Sequence, residues 1–198
     1  MFDKRSLKLF FSIKQIIIMT KHTLITHFDE TSYRTLYDVL NYDSSERINH
    51  IPYGRVSDDI RRVGDTLPLH ITVSSSTESL DEVMSRLEGL AFTSFDVYVD
   101  GIGLSPGKEN SHFLYFKIRQ CEEMDALLAE LYKRIGNEKY HPEKANLHLT
   151  ICISKDIDKI HRITARIKQQ FMPFRLRIMS LGLYEIWPGV LKSIYCSC

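Results

Sequence analysis

Two short stretches constrain this chain more than any other feature: Leu69-His70-Ile71-Thr72-Val73 and Leu147-His148-Leu149-Thr150-Ile151. Each reads apolar-His-apolar-Thr-apolar, the period-two alternation of a half-buried strand. Eight histidines occur, and only these two have a threonine two places on. Downstream of the two stretches the patterns are also alike. A helix comes next, carrying Leu80, Val83, Met84, Leu87 and Leu90 inward in the first case, and Ile157, Ile160, Thr164 and Ile167 in the second. A strand then runs from Phe95 to Gly103, and again from Phe174 to Leu183. Within these strands Ile102-Gly103-Leu104 matches Leu181-Gly182-Leu183. Pro106-Gly107 and Pro188-Gly189 each open a returning strand, Phe113 to Ile118 and Leu191 to Cys196.

Strand, helix, strand, turn and strand thus occur twice, over about residues 69–120 and 147–198, an internal repeat. The repeat predicts an α+β, bilobal fold. Two pseudo-twofold-related antiparallel β-sheets would face a central cleft, with helices packed outside. Before the repeat, Thr23 to Phe28 reads as a strand, and Asp29 caps a helix bearing Tyr33, Leu36, Tyr37 and Leu40. Between the two copies, a helix with Met124, Leu127, Leu128, Leu131 and Ile135 ends at Gly136, a good C-cap. From Asn41 to Asp65 the pattern weakens, with a turn at Pro52-Tyr53-Gly54.

Period two puts His and Thr of each motif on one face of the strand, with the core residues on the other. A strand buried on both faces would be more continuous in Val, Ile and Leu, so the histidine faces are expected to line a cleft. Paired imidazoles across a twofold axis suit in-line displacement at phosphorus, which needs a base at one apex and an acid at the other. An unperturbed imidazole pKa of about 6.5 lets one be neutral and the other protonated near neutral pH. The Thr72 and Thr150 hydroxyls can donate to non-bridging phosphoryl oxygens, where negative charge gathers. No Asp or Glu lies within either motif, so the chemistry is expected to need no metal and no cofactor.

Composition narrows the partner. The formal net charge is +1, too little to hold a long nucleic acid by counterion release. Residues 1–18 carry Lys4, Arg5, Lys8 and Lys14 against Asp3, which leaves residues 19–198 at −2. The first 18 residues read as a leader outside the fold. The apolar run Leu9 to Met19 is broken by Lys14 and is too short to span a membrane, and no small-x-small cleavage site comes after it. Residues 19–198 form the single bilobal domain. Cys121, Cys152, Cys196 and Cys198 fit no zinc spacing, so a cytoplasmic chain with reduced thiols is expected.

The paired motifs, the strand Phe95-Asp-Val-Tyr-Val-Asp-Gly-Ile-Gly103 and the closing Leu181-Gly-Leu-Tyr-Glu-Ile186 resemble the 2H (two-histidine) phosphoesterase superfamily. Its bacterial members are often called 2′-5′ RNA ligase or cyclic phosphodiesterase family proteins. The resemblance covers about residues 22–198. It implies hydrolysis of a 2′,3′-cyclic phosphate on an RNA end or nucleotide, and in some relatives reversible 2′-5′ joining of RNA ends. It carries His70 and Thr72 over as one catalytic pair and His148 and Thr150 as the other. Which histidine is the acid stays open; our preferred assignment has His148 orienting water and His70 protonating the leaving oxygen. Many relatives have an Arg shortly before the second motif. Here the segment reads Tyr140-His-Pro-Glu-Lys-Ala-Asn146, and Lys144 is a candidate substitute for that phosphate contact, as a point charge without a bidentate fork. Arg55 is a further candidate for a phosphate and Tyr53 for stacking on a base. Tyr115 and Tyr184 are candidates to line the cleft. No membrane contact and no obligate protein partner is expected. The alternative is a non-catalytic module on the same fold that binds RNA ends or nucleotides.

Overall fold

The computed structural model describes residues 21–40, 69–107, 110–187 and 190–197. The leader, the turn at Pro52-Tyr53-Gly54, and Tyr53 and Arg55 with it, lie outside the described residues, as do Pro188-Gly189 and Cys198. The chain runs β1 (Lys21–Phe28), α1 (Glu30–Leu40), β2 (Thr72–Ser76), α2 (Leu80–Leu87), β3 (Phe95–Pro106), β4 (His112–Arg119), α3 (Glu122–Ile135), a 3-10 turn (Glu138–Tyr140), β5 (His148–Ser154), α4 (Ile157–Gln170), β6 (Phe174–Trp187) and β7 (Val190–Ser197). Among the described residues no helix is long and apolar enough to cross a membrane.

Local chemistry starts and stops these helices. Asp29 Oδ1 accepts from the Ser32 N–H at 2.7 Å, capping α1 as its sequence position predicts. Ser79 and Glu82 form a reciprocal capping box on α2, and Asp156 caps α4 through the Lys159 N–H at 2.9 Å. Helix α3 ends at Gly136, whose φ of 74° is the left-handed cap that glycine adopts without strain. On the inner stripe of α4, Ile163 takes the place the periodicity assigned to Thr164. Ile163 is buried, while the Thr164 hydroxyl turns back to the Ile160 carbonyl at 2.7 Å.

The strands are antiparallel, in the order β2-β1-β6-β3-β4-β5, with β7 paired to β6 beside that path. The order is a palindrome if β1, β2 and β3 are exchanged for β4, β5 and β6. The sheet's symmetric unit is therefore β-α-β-α-β, made twice, and it differs by one strand from the unit read off the sequence. The structural counterpart of β4 is β1, while β7 is an addition to the second copy. The two units also trade their third strands. One half of the sheet is β2, β1 and β6, the other β5, β4 and β3. Helices obey the same rule, with α2 packed on α3 in one half and α4 on α1 in the other.

The pseudo-twofold axis passes through two residue pairs. Val97 faces Leu176 in the β3–β6 ladder, and Ile71 forms an isolated antiparallel bridge to Leu149. All four side chains are fully buried. The helix-side face of the sheet carries the main core, including Leu24, Val73, Val97, Leu114, Phe116, Leu149 and Ile178. The other face carries both His-x-Thr motifs.

β-Bulges recur at matched places in both halves. The β1–β2 ladder pairs Leu24 with Ser74 and Ile25 with Thr72, leaving Val73 extra. The β4–β5 ladder pairs Leu114 with Cys152 and Tyr115 with Thr150, leaving Ile151 extra. In each copy the extra residue comes directly after the motif threonine. A bulge bends the strand and re-aims its side chains, here in the same way on both sides of the axis.

Candidate active site

The Ile71–Leu149 bridge decides how the two motifs meet. Both partners are the central residue of a His-x-Thr triplet, and the pairing is antiparallel. His70 is therefore set opposite Thr150, and Thr72 opposite His148. All four project from the face away from Ile71 and Leu149, because side chains alternate along a strand. Directly opposed residues have Cβ atoms about 5 Å apart, and diagonal neighbours about 7–8 Å. The two histidines occupy one diagonal of this quartet and the two threonines the other. A phosphoryl group at its centre would have an imidazole on either side and a hydroxyl on either side.

The environments of the two histidines differ. His148 is half-buried, and its Nδ1–H donates to the Asn146 carbonyl at 2.8 Å. That bond fixes the ring and leaves Nε2 as the atom for proton transfer. The Tyr115 ring packs against it with centroids 5.2 Å apart, and the Tyr115 hydroxyl shares a 3.2 Å hydrogen bond with Ser105 Oγ. His70 is only 5% exposed, more enclosed than the alternation of its strand predicts. It sits where three strands converge. The Thr26 N–H donates to the Ile71 carbonyl at 3.0 Å, and the Ile71 N–H donates to Thr26 Oγ1 at 3.1 Å. Continuing that register places His27 across from His70 on β1.

His27 is a residue the sequence pattern did not single out, since it has no threonine partner. Its Nε2 lies 3.2 Å from the Tyr184 hydroxyl, and burial lowers its pKa from the usual histidine value. Tyr184 is thus on the cleft face, as is Tyr115. Each lies beside a glycine of the matched triplets. A Cβ at Gly103 would collide with the Tyr115 ring, and one at Gly182 with the His27 and Tyr184 rings. The Gly103–Gly182 match seen in the sequence is therefore a matched space for rings flanking the two motifs.

The basic residues among those described differ in their partners. Lys144 lies in the turn before β5 and is exposed. Its Nζ is paired with Glu138 at 2.7 Å, and this raises the lysine pKa while holding Glu138 below the ordinary carboxylate range. On the cleft face of the sheet, Lys117 of β4 stands directly opposite His148 and above Gly101. The strand alternation signalled this placement: Leu114 and Phe116 go to the core, so Tyr115 and Lys117 share the other face. Farther along that face, Arg119 is held by Asp100 at 3.2 Å, and Arg175 and Arg177 by Asp96 at 3.2 and 3.3 Å. Cys121 and Cys152 are free thiols, and burial raises the pKa of both. Among the described residues, no three His, Cys, Asp or Glu side chains are grouped to hold a metal ion.

The sequence pattern of the 2′-5′ RNA ligase superfamily matches residues 53–186, a span that contains both His-x-Thr motifs and strands β2 to β5 with most of β6. No curated protein matches the chain.

Proposed function

The chain belongs to the 2′-5′ RNA ligase superfamily, within the 2H phosphoesterases, and on that premise we propose that it is a metal-independent phosphodiesterase acting on a 2′,3′-cyclic phosphate of an RNA end or nucleotide. The observation that supports this most directly is the Ile71–Leu149 bridge, which assembles the two motifs into one quartet. In the proposed reaction His148 Nε2 takes a proton from water as its oxygen attacks phosphorus. The bond from phosphorus to one ribose oxygen breaks opposite the attack, and His70 gives that oxygen a proton. Thr72 and Thr150 donate to the non-bridging oxygens through the transition state. If an RNA 5′-hydroxyl replaces water, the same steps form a 2′-5′ phosphodiester.

The test is incubation with 2′,3′-cyclic nucleotides and cyclised RNA ends, read by phosphorus NMR. Turnover is expected to survive a chelator. His70→Ala and His148→Ala are each expected to abolish it while the thermal melt persists. Thr72→Ala or Thr150→Ala should lower kcat by about 10²-fold, the scale of losing one oxyanion donor. Wild-type rates in both histidine variants would sink the mechanism. Tight binding of the cyclic phosphate with no product would identify a binding module instead.

A further inference from the structure

The cleft face of β3, β4 and β6 carries four cations, and their partners separate them. Arg119, Arg175 and Arg177 are each engaged by an aspartate on β3. Lys117 is exposed and has no ion pair among the described residues. It is also the cation placed beside the motifs, since the β4–β5 register sets it directly opposite His148. Opposed residues in an antiparallel ladder share a face, so the ammonium and the imidazole project into the same space. The lysine stem is supported from below, where Gly101 has no side chain. The nearest stem carbon, Cδ, stands 3.4 Å from where a Cβ would be.

The position has a counterpart across the axis. His27 pairs with Ser180 of β6 as Lys117 pairs with Gly101 of β3, and His27 flanks His70 as Lys117 flanks His148. His27 is half-buried against the Tyr184 hydroxyl, and burial holds it toward the neutral form. Among the described residues, the permanent positive charge beside the quartet therefore comes from one half only.

We infer that Lys117 is the phosphate-binding cation of this site, contacting a non-bridging oxygen of the substrate and of the phosphomonoester product on the His148 side. This rests on the phosphodiesterase reading and assigns to Lys117 the role that closeness to the second motif suggested for Lys144. The ammonium is a compact point charge on a flexible stem, which suits a phosphoryl group whose geometry changes during in-line displacement. Lys144, already paired with Glu138, has no part in it.

The test measures binding of adenosine 2′-monophosphate by calorimetry to wild type, Lys117→Met, Lys117→Arg and Lys144→Met, with a thermal melt of each. Methionine keeps the stem over Gly101 and removes only the charge. Lys117→Met is expected to weaken binding about tenfold or more, the scale of one charge-assisted hydrogen bond, and to flatten its salt dependence. Lys117→Arg should retain most of the affinity, and Lys144→Met all of it. Equal affinity in Lys117→Met and wild type, or no binding to wild type, overturns the inference. If wild type binds the monophosphate through Lys117 but turns over no cyclic phosphate, the phosphodiesterase reading fails and the phosphate site stands.

Discussion

Gly103 lies against the Tyr115 ring, which in turn packs on His148. A methyl group there must push the ring away. Gly103→Ala is expected to cost about 1–3 kcal/mol, the usual scale for overpacking, and to move the His148 ring resonances in an NMR spectrum. Unchanged resonances would show that Tyr115 does not position the imidazole. The residue scale is also where the sequence was most legible. His70, Thr72, His148 and Thr150, the residues proposed for catalysis, could be picked out because a strand with period two makes polar and core side chains alternate. The placement of Lys117 and His27 beside the motifs could not, because it follows from cross-strand register, which depends on where neighbouring strands bulge. The partner of Lys144 was hidden for a related reason. Closeness in sequence to the second motif says nothing of Glu138, with which its ammonium pairs.

Among the elements, α1 is the clearest case of local sequence setting structure. Asp29 is held below the ordinary carboxylate pKa, first by its hydrogen bond from Ser32, with smaller help from the Arg177 and Arg175 charges. Its folded pKa is depressed, so its stabilisation is present above the unfolded value of about 4 and is lost as pH falls through the folded value. Asp29→Ala is expected to cost about 1 kcal/mol at neutral pH, and a pH series of melts should show the gap to wild type closing in acid. A gap that stays constant would assign the loss to packing. The caps and the inner stripes of the helices were readable because they depend on neighbours within a few residues. The bulges at Val73 and Ile151 were not, since a ladder with one extra residue looks, in one strand, like ordinary alternation.

At the scale of the molecule, the two halves are joined along β3 and β6, with Val97 and Leu176 on the axis. Leu176→Ala is expected to cost about 2–5 kcal/mol through the cavity it leaves. Because the seam belongs to both halves, far-UV and aromatic circular dichroism should still report one coincident transition. Two separated transitions would show halves that are stable alone. The repeat in the sequence indicated two related lobes. It could not indicate that they trade third strands, because hydrophobic pattern specifies which face a strand buries and leaves its neighbour open. That exchange has a consequence for the chain as it is made. Leu24 of β1 finds its ladder partner at Leu183 of β6, so β1 lacks this neighbour until β6 has been synthesised. Contacts this distant in sequence are slow to form, and β1 has an unpaired edge while it waits, open to other chains. Yield of folded protein should therefore depend on holdase chaperones during synthesis more than on the stability of the finished fold.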